Sequence, residues 1–217
     1  MKEDFGRNVL VGVFMLLGLV ALPWLLTLYA AFNVTHAPFD DRRVRRALVM
    51  AVDRERMADL VYKGHHFPAT GGLWPPCTAA HSPGIALPYD PAQARRLLAE
   101  AGYPDGRAFP PLTALTFSHG THLRPDEYLH AQWRENLGID VSCQVVEFSE
   151  YVDRLRPGST TAKPPIWYGG VNLGIGRDDQ VYEDLEGWFT EGWRNEAYTR
   201  LEAASRRTVD PDARLRL

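Results

Sequence analysis

The 217-residue sequence predicts an α/β domain preceded by an apolar N-terminal helix, and three features carry that reading. Residues 9–32 contain no charged side chain; Ile139 to Val145 alternates apolar and polar residues at the period of a strand; Asp90-Pro91 and Gly102 bracket a helix with start and stop signals. With 45% hydrophobic and 24% charged residues the chain can bury a sizeable core, so disorder is not the default. A net charge of -3 and a pI near 6.2 give no general attraction to polyphosphate. No basic stripe interleaves with aromatics, and nucleic acid is set aside as a partner.

The elements follow in chain order. The uncharged run exceeds the roughly 20 residues that cross about 30 Å of hydrocarbon, so residues 1–28 are read as a hydrophobic, membrane-spanning segment and 29–217 as the folded domain. Pro23 and Trp24 fall late in the run, where a helix would kink and meet the interface. The alternative origin of the run is foreign sequence joined by rearrangement. Tyr29 to Thr35 has strand composition. Asp40 or Asp41 then caps a helix whose Val44, Ala47, Leu48, Ala51 and Val52 share one face. Asp53 restarts a second helix, which Gly64 closes. His65 to Tyr89 is rich in Pro and Gly and reads as a long loop.

Asp90 is an N-cap, Pro91 occupies the first helical position, Gln93 completes a capping-box spacing, and Gly102 ends the helix. Leu112 to Ser118 reads as a strand, Asp126 to Leu137 as a helix with Leu129, Trp133 and Leu137 on one face, and Ile139 to Val145 as a strand with Ile139, Val141, Cys143 and Val145 on its buried side. Strand, helix and strand with short joins imply a parallel crossover. Ser149 is read as the cap of a short helix bearing Tyr151, Val152 and Leu155. Ile166 to Val171 follows as a strand, Tyr182 to Phe189 as a helix, and Ala197 to Ser205 as another. Asp210-Pro211 opens a last helix, and the chain reads as cut shortly after it.

Several segments resemble the bacterial extracellular solute-binding proteins of family 5. The turn, basic helix face and restart in NVTHAPFDDRRVRRALVMAVDRE, the capped helix in YDPAQARRLLAEAGYPDG, the helix and strand in LHAQWRENLGIDV, and the start of a hairpin in EAYTRLEAASRRTVDPDARLRL occur in the family's order. The resemblance covers Tyr29 to Leu217 and implies a periplasmic-binding-protein-like lobe with a mixed sheet, the C-terminal half of a two-lobed clamp. It implies a peptide or similar small solute as ligand, ABC permease subunits as partners, an extracytoplasmic position tethered by the N-terminal segment, and no cofactor. It also implies that the larger first lobe and the returning terminal segment lie outside this sequence. A membrane-tethered sensor built on the same lobe, or a gene fragment, are the alternative readings.

The ligand-facing strand of that family corresponds here to IWYGGVNLGIGRDD, which keeps a tryptophan and glycines but lacks the family's Asp-Tyr and Asp-Pro pairs. Exposed main chain at glycines and aromatic walls suit a peptide ligand, so Trp167, Tyr168, Gly169, Gly170 and Asn172 are the candidate binding residues, with Asp178 standing in for the missing carboxylate. The competing assignment makes Trp167 a core aromatic. Gly174 and Gly176 are too few for a dinucleotide fingerprint. His65, His66, His119 and His122 read as solvated loop histidines, and the acidic run from Asp178 to Glu186 lacks calcium-loop spacing. Cys77 and Cys143 have no metal-ligand spacing. Ser118-His119 lacks a nucleophile elbow and a third member, so no enzyme is read from the sequence.

Overall fold

The structure is a computed structural model that describes residues 26–71, 74, 76, 81–118, 125–156, 159–172 and 196–214. Its first element is strand β1, Leu26–Phe32. That is three residues earlier than composition places it, because the ladder with the later strand β4, Ile166–Asn172, sets its length: pairing runs from Leu26 opposite Asn172 to Phe32 opposite Ile166. Leu26 to Leu28 therefore belong to the sheet and not to the apolar head. The rest of the head lies outside the described residues, among which no helix is long and apolar enough to cross a membrane. Asn33 leaves the ladder by donating its N–H to the Pro165 carbonyl at 2.9 Å, and its side chain accepts from the Thr35 N–H at 3.1 Å.

Helices α1 (Arg42–Met50) and α2 (Arg54–Leu60) start where aspartates were placed by sequence: Asp41 accepts from the Arg43 N–H at 2.7 Å, and Asp53 from the Arg56 N–H at 2.9 Å. Gly64 takes a φ of +73°, the left-handed geometry that ends a helix. The last carbonyls of α1 have no partner within the helix, and residues beyond its end supply one to each. Leu48 accepts from the Trp133 indole at 2.9 Å, Val49 from Arg54 at 3.5 Å, Met50 from the Asp90 N–H at 2.9 Å, and Ala51 from the Asn136 amide at 2.8 Å. The junction between α1 and α2 is thus the point at which the helical layer is tied together.

Helix α3, Pro91–Glu100, has Asp90 accepting from the Gln93 N–H at 2.9 Å, and Gly102 follows with a φ of +98°. A 3-10 turn at Pro104–Gly106 leads to β2, Leu112–Phe117. Helix α4, Pro125–Leu137, stops at Gly138, whose φ of +70° and close approach to the Asp105 carbonyl, 2.5 Å from where a Cβ would stand, leave no room for a side chain. Strand β3 spans Val141–Val146, α5 Phe148–Leu155, α6 Glu196–Arg207 and α7 Pro211–Arg214.

The four-stranded sheet has the order β1-β4-β2-β3, with β2 parallel to β3 and to β4, and β1 antiparallel to β4. This mixed sheet carries two cores. On one face α1, α3 and α4 pack Val44, Leu48, Leu98, Trp133 and Leu137 against Ala114, Ile166 and Tyr168. On the other, α5 packs Tyr151 and Leu155 against Leu115 and Trp167. Two expectations shift in detail. Helix α5 begins at Phe148 with Glu147, not Ser149, as its N-cap, and Glu147 makes no side-chain capping bond. On β3 only Val141 is buried; Cys143 and Val145 are exposed, because β3 is the edge strand of the sheet and pairs with β2 alone.

Candidate functional site

Strand β4 carries the residues singled out in the sequence, and the alternation of a strand divides them. Trp167 enters the α5 side of the sheet at 5% exposure, while Tyr168 enters the α4 side at 8%. Both hold the strand inside a core. The Tyr168 hydroxyl meets His130 Nε2 at 2.7 Å, and the Tyr168 carbonyl accepts from the Tyr151 hydroxyl at 2.9 Å. Tyr151 has only one proton and a carbonyl can only accept, so Tyr151 receives its hydrogen bond with Tyr29 on oxygen.

Gly169 lies under this tyrosine pair. A Cβ built on it would stand 2.5 Å from Tyr29 Oη and 2.9 Å from Tyr151 Oη, so the absence of a side chain is what lets the two rings close over the strand. Gly170 is exposed, and Asn172 ends the strand opposite Leu26. Asp178 lies outside the described residues, as do Cys77, His119, His122, Gly174, Gly176 and the acidic run.

Burial pushes the Tyr29 hydroxyl up to about 12 and raises Tyr151 and Tyr168 well above the ordinary tyrosine value, so all three remain neutral hydrogen-bonding groups near neutrality. His66, expected in solvent, is half-buried and its ring lies 4.2 Å from that of Tyr62 at a tilt of 34°; burial lowers its pKa. Cys143 carries an exposed thiol that donates to Asp126 Oδ2 at 3.7 Å. Among the described residues no group of three or more His, Cys, Asp or Glu is placed to hold a metal ion.

The topology points to the carboxyl edge of the parallel strands. After β2 the chain passes to α4 on one face, and after β3 to α5 on the other, so the two crossovers part between the ends of β2 and β3. In open α/β sheets a crevice forms at such a point. Phe117 ends β2 there, Phe148 opens α5 there at 59% exposure, and their rings meet edge-on at 4.9 Å. Phe117 also packs against Tyr151 at 4.7 Å, which joins the phenylalanine pair to the tyrosines over Gly169. Phe148 is not among the candidate binding residues that the sequence offers. Its signal is an aromatic residue at the first position of a helix, directly after a strand, heading the i, i+3, i+4, i+7 stripe that Tyr151, Val152 and Leu155 complete.

The model of the bacterial extracellular solute-binding proteins, family 5 Middle, matches residues 20–187. The chain belongs to that family. Among curated family 5 relatives it is 30% identical over 210 residues to the glutathione-binding protein GsiB of Salmonella paratyphi A, covering 93% of this chain and 40% of the relative. It is 32% identical over 200 residues to di/tripeptide-binding protein 3 of Pseudomonas aeruginosa, covering 87% of this chain and 36% of the relative. Of solved structures, the dipeptide-binding protein of Pseudoalteromonas sp. SM9913 in complex with Met-Leu superposes with a TM-score of 0.74 at 25% identity, over 88% of this chain and 39% of that one. The family 5 chain described here therefore spans well under half the length of these relatives, and its α/β fold with a mixed sheet matches the corresponding part of a solute-binding structure.

Proposed function

We propose that this family 5 chain forms one wall of a clamp-type solute receptor for an ABC importer, taking a peptide or similar small solute and delivering it to a permease. The observation that carries the reading is the exposed Phe148 ring, held edge-on by the half-buried Phe117, at the edge where the crossovers part. An apolar aromatic surface beside open main chain suits ligands that vary in side chain but share a backbone. Gly170 and Asn172, at the end of β4, complete the wall with their main chain. Trp167, Tyr168 and Gly169 serve it from below by fixing the strand. The relatives' names support a peptide-like ligand, since they bind glutathione and di- or tripeptides.

The folded part works on the extracytoplasmic side, tethered through the apolar residues ahead of β1. Carbonate extraction tests the tether: the chain stays with the membrane fraction, and its release intact would contradict the proposal.

One wall touches about half of a ligand that a closed clamp buries, while the translational and rotational cost of association stays whole. A micromolar clamp, near -8 kcal/mol, falls toward about 1 mM when reduced to one wall. Calorimetry of the chain with dipeptides should find nothing tighter than about 0.1 mM. Heteronuclear NMR with a dipeptide pool at about 10 mM, well above that limit, should shift Phe148 and Gly170, and Phe148→Ala should weaken the effect about tenfold, equivalent to about 1.4 kcal/mol. Micromolar affinity would contradict the single-wall reading. Absence of any shift at Phe148 and Gly170 would contradict the edge as the site.

A further inference from the structure

Helix α4 and strand β4 are joined by one side-chain pair that the ligand wall does not use. His130 lies half-buried on α4 with its ring 6.0 Å from that of Trp133 and 5.8 Å from that of Tyr168, and its Nε2 is 2.7 Å from the Tyr168 hydroxyl. Tyr168 is itself buried, and a buried O–H left without an acceptor is unfavourable. The neutral tautomer with a bare Nε2 supplies that acceptor.

We propose that His130 and Tyr168 form an acid-sensitive latch between α4 and β4. Protonation of His130 puts a hydrogen on Nε2, so the ring becomes a donor at the one place where it had to accept. The Tyr168 oxygen must then accept, and the proton on Tyr168 loses its partner. Relief requires Tyr168 to turn or β4 to shift against α4. Because β4 carries Gly169 and Gly170 on the following residues, the shift would be felt at the end of the strand.

Among the described residues, few groups bear on the ring. Asp126, Glu127 and Arg134 reach it along α4 itself. From β4 it meets Tyr168, while β3 brings the Cys143 thiol to Asp126 and within electrostatic reach of Tyr168. The segment after α2 places Tyr62 near Asp126. Strand β2 presents Ala114 and Thr116, which do not titrate, and α1 offers its Leu48 carbonyl to Trp133. Helix α3 sends Arg95 to the Asn136 carbonyl at the far end of α4. Burial lowers the pKa of His130 and outweighs the opposing pull of Asp126. A histidine depressed in the folded state leaves stability intact above its ordinary value near 6.5 and removes it as pH falls from there through the folded value.

The test uses the full chain, its His130→Gln and Tyr168→Phe variants, urea unfolding between pH 5 and 8, and NMR titration of the histidine rings. His66 is also depressed by burial and gives a background that all three proteins share. The wild-type unfolding constant should rise below pH 6.5 by up to about tenfold per pH unit more than that of His130→Gln. In Tyr168→Phe, which keeps the burial but removes the conflict, the His130 ring should titrate closer to its ordinary value. Titration of His130 at its ordinary value in the wild type would overturn the latch. So would a Tyr168→Phe titration identical to wild type, since burial alone would then explain the shift. Should His130→Gln fail to fold, the ring titrations of wild type and Tyr168→Phe decide the matter.

Discussion

The Trp133 indole donates to the Leu48 carbonyl across 2.9 Å, and this one bond closes the C-terminal end of α1 against the middle of α4. Trp133 is 2% exposed, so neither group has recourse to water. Trp133→Phe removes the donor, leaves the carbonyl orphaned and trims the ring, and should destabilise the domain by about 2 kcal/mol or more. Urea unfolding reads this as a lower midpoint at an unchanged slope; an unchanged midpoint would show that Leu48 finds another partner.

Gly169 and Gly170 are neighbours with opposite expectations. Gly169→Ala drives a methyl into Tyr29 and Tyr151 and should cost about 1–3 kcal/mol through overpacking, whereas Gly170→Ala at an exposed position should stay within about 0.5 kcal/mol. Thermal melts of the two variants side by side separate the structural glycine from the surface one. Equal melting temperatures would mean that the tyrosine pair yields freely.

Asp90 caps α3 with one side-chain bond to the Gln93 N–H at 2.9 Å. Asp90→Ala should lower stability by about 0.5–2 kcal/mol, while Asp90→Asn or Asp90→Ser, which keep an acceptor, should lose much less. A melt of Asp90→Ala that overlays the parent would remove the cap from the account of this helix.

Alkaline pH should unfold the domain through its buried tyrosines. Burial pushes Tyr29 and Tyr62 up to about 12, and raises Tyr151 and Tyr168 further, from an ordinary value near 10. The folded state therefore keeps protons that the unfolded chain releases above pH 10, so stability is whole below pH 10 and declines as pH climbs toward 12. Tyrosinate absorbance near 295 nm should appear in step with loss of secondary structure. A smooth ionisation of all nine tyrosines near pH 10, with the fold intact, would contradict the burial.

How far the sequence could be read depended on whether a signal was local. The caps at Asp41, Asp53 and Asp90 and the stops at Gly64, Gly102 and Gly138 each act within four residues, and each was found at the right place. Strand limits were less legible, because β1 ends where β4 stops pairing with it and not where its composition changes. The buried face read from Ile139, Val141, Cys143 and Val145 was half right for a similar reason: alternation reports which residues share a face, and only the covering helix decides how many of them are buried. The site was least legible. Trp167 and Tyr168 are adjacent aromatics in sequence, but a strand sends them to opposite sides of the sheet. Phe148 shares the apolar stripe of Tyr151, Val152 and Leu155, and only the crossover geometry shows that its end of the stripe is left exposed.

Strand β4 alternates between the two cores residue by residue, Ile166 and Tyr168 in one, Trp167 in the other. Neither core can loosen around that strand without exposing the flank of the other. The two faces should thus behave as a single cooperative unit in native-state hydrogen exchange, with the amides of Trp167 and Tyr168 opening together and among the last, while the outer edge of β3 exchanges earlier through local fraying.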